Sequence, residues 1–130
     1  GLIFDPIKNE MFFAEKNNGA FFNNYRIRVS KKNQIEDCLF VTGGKVNSKL
    51  DFLYRKTGCA ALDMAYVACG RYDGYFQDNL HLWDIAAGII LIKEAGGIIN
   101  DIDLNNNNNV KVITSSSDIS EKLQEKLDNF

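Results

Sequence analysis

The sequence predicts an α/β fold with a mixed sheet, entered through an antiparallel β-meander. Three observations predict it. Strand-length segments separated by turn residues fill positions 1–30, and five of the nine phenylalanines fall within the first 22 positions. After Ser30, short apolar strand segments alternate with helical segments, the pattern of a sheet sandwiched by helices. Two helical segments rich in small and apolar residues each stop at glycine, at Gly70 and at Gly96-Gly97, as helices closed by a left-handed residue do. We divide the chain accordingly: 1–34 as the meander and 35–130 as the α/β domain.

The elements follow in order. Asp5-Pro6, Asn17-Asn18-Gly19 and Asn23-Asn24 are turn signals that cut the meander into strands. Arg26-Ile27-Arg28-Val29-Ser30 alternates as a half-exposed strand should. A sheet this aromatic needs another layer to cover it; the readings are that Phe12 and Phe21, or neighbours on their faces, form an exposed apolar patch, and that the covering half is missing upstream of Gly1. Cys38-Leu39-Phe40-Val41-Thr42 is a buried strand ended by Gly43-Gly44, and Asp51 to Arg55 is a second strand. Cys59 to Cys69 is a helix, Gly74 to Gln77 a strand, and Ile85 to Ala95 a helix. Ile98 to Ile102 and Val110 to Thr114 are strands. Ser117 opens a last amphipathic helix with Ile119, Leu123 and Leu127 on one face. The run Asn105 to Asn109 between two strands is read as an exposed loop.

Composition excludes several classes. Fifteen basic residues stand against 17 acidic ones, a net charge of −2, so there is no nucleic-acid footprint, which requires a clustered basic face. Lys31-Lys32, Lys122 and Lys126 are interrupted and read as solvated surface. No apolar run reaches the roughly 18 residues of a membrane span. The three cysteines, Cys38, Cys59 and Cys69, fit no metal spacing; free thiols, buried or half-buried, in a reducing cytoplasm are expected.

The segment Gly58-Cys59-Ala60-Ala61-Leu62-Asp63-Met64-Ala65-Tyr66-Val67-Ala68-Cys69-Gly70-Arg71 is followed by Asp73-Gly74-Tyr75-Phe76, Trp83-Asp84-Ile85-Ala86-Ala87-Gly88 and Glu94-Ala95-Gly96-Gly97. In that order these motifs resemble the C-terminal half of the inositol monophosphatase family, and Gly1 to Pro6, Glu10 to Ala14 and Gly19 to Asn23 are similar to its middle strands. The resemblance implies the inositol monophosphatase/fructose-1,6-bisphosphatase-like sugar phosphatase fold: a C-terminal mixed-sheet α/β domain preceded by a meander of the N-terminal domain's antiparallel sheet. It implies a Mg²⁺-dependent, lithium-sensitive phosphatase that hydrolyses inositol monophosphate or a related sugar phosphate by two-metal activation of water, and a cytoplasmic homodimer. The family's acidic Asp-Pro-φ-Asp-Gly-Thr motif is not matched, since Ile7-Lys8-Asn9 follows Asp5-Pro6. The chain is therefore expected to be a fragment beginning in the middle of a phosphatase and nearly inactive alone. A non-catalytic dimerisation or regulatory module is the alternative. The segment Lys45 to Lys56 is too short for the helix and strand usual in the family, so that helix is expected to be absent or reduced to a turn.

The site residues follow from the same resemblance. Asp84 is implied as a ligand of the second metal ion, beside the leaving oxygen; from the residue alone it reads first as an ordinary N-cap of a core helix. Gly58, Cys59 and Ala60 are implied to contact sugar hydroxyls, partly through backbone N–H groups, which a helix N-terminus leaves unpaired. Cys59 stands where Ser or Thr is usual and is read as small-residue packing. Gln77 stands where Glu is usual and accepts hydrogen bonds from a ring hydroxyl; Gln offers one acceptor and no charge, so either substrate preference changes or the natural substrate is another sugar phosphate. His81 is read as a loop histidine, Asp101 and Asp103 as turn residues, and Trp83 as packing against the helix pair to fix the loop presenting Asp84.

Overall fold

Alternation of side chains and asparagine-rich turns build the first sheet. The computed structural model describes residues 1–46 and 49–128. Strands β1 (Leu2–Asp5), β2 (Glu10–Glu15), β3 (Gly19–Phe22) and β4 (Tyr25–Arg26) form an antiparallel sheet in that order. The turn between β3 and β4 places Asn23 and Asn24 at φ 43° and 70°, the paired left-handed residues that a tight two-residue hairpin requires. The strand read over 26–30 is shorter than expected. The Ile27 N–H still reaches the Ala20 carbonyl of β3 at 2.9 Å; beyond it the backbone leaves the sheet, and the Val29 N–H turns to the Ala95 carbonyl at 3.0 Å. Its hydrogen bonds are met by a helix end instead of a fifth strand.

The second sheet has five strands, in the spatial order Leu53–Arg55, Leu39–Val41, Gly74–Leu80, Val110–Ser116, Gly97–Ile99. A 3₁₀ turn (Ile35–Asp37) leads into β5 (Leu39–Val41), followed by β6 (Leu53–Arg55), helix α1 (Ala60–Ala68), β7 (Gly74–Leu80), α2 (Leu82–Glu94), β8 (Gly97–Ile99), β9 (Val110–Ser116) and α3 (Ser117–Lys126). β5 pairs in parallel with β6 and β7; β7–β9 and β9–β8 are antiparallel. The sheet is mixed, as expected. β6 and β8 are shorter than the sequence suggests. β7 is longer, because a register shift between Gln77 and Leu80 carries it onward, with Asn79 at φ 54°. Among the described residues between β5 and β6 there is no helix; Asn47 and Ser48 of that expectation lie outside the described residues.

Period-two alternation separates two cores. Val41, Tyr75 and Val112 face α1 and α2 and join Ile3, Phe12, Ala14 and Ala20 of the first sheet. Phe40 and Phe76, with Ile113, face α3, where Ile119, Leu123 and Leu127 are buried. The layers run sheet, helix pair, sheet, helix. The helix pair thus supplies one cover that the meander needs, and Phe12 is fully buried beneath it. This corrects the expectation that Phe12 lies on the exposed patch. The exposed face is the opposite one, where Leu2 pairs with Phe13 and Phe4 with Met11 across β1 and β2.

Lys31, Lys32 and Lys122 are exposed as read, and two of the surface lysines also form ion pairs. Lys32 Nζ lies 3.0 Å from buried Asp73 and Lys126 Nζ lies 2.7 Å from Asp51. Arg71, at the end of α1, holds Glu10 of β2 in a double contact and lies over the rings of Phe12, Phe22 and Tyr66. It ties the first sheet to the helix pair. The Asn run is an exposed loop, and it also caps a helix: the Asn107 carbonyl accepts the Leu82 N–H at 3.1 Å. That bond lets α2 begin at Leu82, three residues before the expected Ile85.

Candidate functional site

Parallel strands deliver their chains to one edge of a sheet, and ligands bind outside those carboxyl ends. Here Gly43 follows β5, Gly58 and Ala60 follow β6, and Gln77 and Leu80 lie on the far half of β7. Asp84 enters from the first turn of α2. These six residues line one cavity of about 200 Å³. Four of the five residues singled out from the sequence, Gly58, Ala60, Gln77 and Asp84, therefore meet. Cys59 does not line the cavity. It is the N-cap of α1, makes no side-chain cap bond, and its thiol is exposed, unlike the half-buried thiol expected.

The turn into α1 has a local cause. Gly58 has φ 90°, a conformation that L side chains rarely adopt, although nothing lies within 4 Å of where its Cβ would be. Since Cys59 does not cap the helix, the first N–H groups of α1 are left without a side-chain acceptor beside the cavity. Buried Asp63 anchors this turn from beneath. The Thr57 hydroxyl donates to Asp63 Oδ1, while Oδ2 has no partner. Burial pushes the Asp63 carboxyl from its ordinary 3.8 up to about 6, against the opposing pull of the Thr57 hydrogen bond. Sequence reasoning missed Asp63. Its signal was a single acid within the apolar run Ala60 to Ala68.

Gln77 sits opposite the end of β5. Its Oε1 accepts the Gly43 N–H at 3.1 Å and the Tyr75 hydroxyl at 2.7 Å. Burial raises the Tyr75 hydroxyl above its ordinary pKa, so it stays protonated and able to donate. Asp84 is the third residue of α2 and not its cap; His81 holds the N-cap position. Asp84 Oδ2 accepts the His81 N–H at 3.2 Å. Its side chain is 42% exposed, and Oδ1 makes no hydrogen bond with the described residues. Trp83 does not pack against the helix pair. It is 69% exposed and its ring stacks on His81 at 4.3 Å.

A metal ion fits only in part. Mg²⁺ is commonly held by one or two carboxylates together with substrate phosphate and water, and Asp84 offers one outward oxygen. Among the described residues no group of three His, Cys, Asp or Glu side chains could hold an ion. A larger surface depression lies elsewhere, about 620 Å³ on the open face of the first sheet, lined by Phe4, Met11, Phe13, Phe21 and three asparagines. It has no titratable group, so the chemistry belongs to the smaller cavity. No helix among the described residues is long and apolar enough to cross a membrane.

Comparison with known proteins gives consistent matches. Residues 1–129 match the inositol monophosphatase family. The protein named Nus factor SuhB of Escherichia coli (strain K12) is 42% identical over 117 residues, which are 77% of this chain and 43% of that protein. The crystal structure of extragenic suppressor protein suhB from Bartonella henselae superimposes with a TM-score of 0.84 at 38% identity, over 98% of this chain and 55% of that one. Inositol monophosphatase from Anabaena (Nostoc) sp. PCC 7120 gives a TM-score of 0.87 at 30% identity, over 99% and 58%. The chain spans about half the length of the relatives it matches.

Proposed function

The chain belongs to the inositol monophosphatase family, and from that premise we propose that it is the sugar-binding half of a Mg²⁺-dependent phosphatase acting on inositol monophosphate or a related sugar phosphate. The observation that carries this reading is the single cavity lined by Gly58, Ala60, Gln77 and Asp84. The open N–H groups at the start of α1 hold sugar oxygens. Gln77 orients a further group of the sugar, and Asp84 turns its free oxygen toward the cation. When bound, Mg²⁺ in a two-ion site neutralises the phosphoryl oxygens, activates water and stabilises the leaving oxygen. Asp84 alone does not complete such a site, so the remaining ligands come from residues outside this chain, and the 130-residue chain by itself is nearly inactive.

The test uses a longer protein that joins this chain to the family's acidic upstream motif. There Asp84→Asn should lower turnover of inositol monophosphate at saturating Mg²⁺ by at least ~100-fold, the scale of losing one charge that stabilises the transition state. Folding should be preserved, because Asn still accepts the His81 N–H. Near-normal turnover in a folded variant would leave Asp84 as a helix-end acceptor and sink the reading. Robust phosphate release by the 130-residue chain would count equally against it.

One observation favours a second reading. The open apolar face of the first sheet suits a dimerisation or regulatory module, and the relatives carry the name Nus factor. Stable self-association of the longer protein with no phosphatase activity would favour this reading over the first.

A further inference from the structure

The cavity wall formed by Gln77 has a definite hydrogen-bonding polarity, and the backbone sets it. A peptide N–H can only donate. The Gly43 N–H points at the Gln77 side chain, so the atom it meets must be the carbonyl oxygen; a flipped amide would set donor against donor. The Tyr75 hydroxyl reaches the same oxygen. Both lone pairs of Oε1 are thus engaged within the protein. The approach is close: a Cβ at position 43 would lie 2.5 Å from Oε1 and 3.3 Å from Nε2, so a side chain there would displace the amide. Nε2 has no partner among the described residues, and it is absent from the buried unpaired atoms; it is open to solvent on a residue that lines the cavity. Asp84 lines the same cavity with a free acceptor oxygen.

We propose that Gln77 is a specificity-determining residue that presents a hydrogen-bond donor to the sugar, so that the site takes phosphorylated sugars with an acceptor oxygen at that position, ketoses included. This rests on the sugar-phosphate reading above. A carboxylate at position 77 would present an acceptor instead and reject a carbonyl, which has no proton to offer.

Two measurements separate the polarity of the wall from the function of the site. In the free 130-residue chain, amide exchange followed by NMR should show a Gly43 N–H protected in the wild type and in Gln77→Glu, but exposed in Gln77→Ala. The Gln77 side-chain NH₂ should exchange freely. A protected NH₂, or Gly43 exchange indifferent to Gln77→Ala, overturns the inference. The second measurement titrates the longer protein that carries the family's acidic upstream motif, with Mg²⁺ present, against dihydroxyacetone phosphate and glycerol phosphate, which differ by one carbonyl in place of one hydroxyl. The wild type should bind the two within a few-fold and shift the Gln77 NH₂ signals. Gln77→Glu should lower the ratio of keto to hydroxyl affinity by about tenfold or more, the scale on which an unpaired acceptor counts. An unchanged ratio overturns the inference. Failure of both phosphates to bind any variant overturns the sugar-phosphate reading and the specificity claim with it, while the exchange data still report whether the wall is a donor.

Discussion

Replacing Asp63 by Asn should remove one defined slope from the pH dependence of folding. Asp63 is fully buried, one of its oxygens has no partner, and burial raises its carboxyl from 3.8 to about 6. At ~1.4 kcal/mol per pKa unit, that gap corresponds to roughly 3 kcal/mol. The sign follows from proton binding. Between the two values the folded chain holds a proton that the unfolded chain has released, so stability falls as pH rises. The protonated group's contribution is complete below 3.8 and lost as pH passes about 6. Asn binds no proton and still offers Oδ1 to the Thr57 hydroxyl. Urea unfolding of both proteins from about pH 4 to about pH 8 gives the difference between them, in which the ionisations common to both cancel. The variant should gain roughly 2–3 kcal/mol relative to wild type across that range. A difference that stays flat with pH would refute the account of a buried, half-satisfied carboxyl.

Three further outcomes are expected. Gly88→Ala should destabilise by about 1–3 kcal/mol in urea unfolding, as overpacking does, because its Cβ would fall 2.7 Å from Met64 Sδ and 2.9 Å from Met64 Cβ where α1 and α2 touch. Arg71→Met should cost about 2–3 kcal/mol by leaving Glu10 without its cation, and Glu10→Gln in the same background should recover part of that loss in a double-mutant cycle. Phe4→Lys together with Phe13→Lys should suppress self-association in sedimentation and binding of apolar dyes while changing stability by no more than ~1 kcal/mol, since both rings lie on the open face of the first sheet.

Most of the fold was legible because its signals are local. Glycines in left-handed conformations close α1 and α2, at Gly70 and Gly96. Ile119, Leu123 and Leu127 mark one buried face of α3. Element ends were less legible where a distant group decides them. α2 gains its first turn from the Asn107 carbonyl, and the 26–30 segment leaves its sheet for the end of α2. Neither partner is adjacent in sequence. Phe12 and Phe13 are neighbours of the same type, and only the register of β1, β2 and β3 tells which ring faces the helices.

The candidate site divides along the same line. Residue types at helix starts and strand ends could be picked out from the sequence, and four of them do share a cavity. What each presents to that cavity could not be read, because the answer depends on what holds it from behind. Gln77 read by itself is a weakened acceptor. With the Gly43 N–H arriving from the end of β5 and the Tyr75 hydroxyl from the same face of β7, the acceptor faces inward and the donor outward. Asp63 read by itself is a stray acid in an apolar helix. With the Thr57 hydroxyl on one oxygen, it becomes the anchor of the turn that exposes the first N–H groups of α1. Both effects cross between elements 34 or six residues apart in the chain. A cavity's chemistry is thus set as much by the groups its lining residues already satisfy as by the identity of those residues. The polarity at Gln77 therefore requires Gly43 as much as Gln77 itself. A side chain at position 43 that pushed the amide aside should erase the distinction between keto and hydroxyl ligands without altering any residue that contacts the sugar.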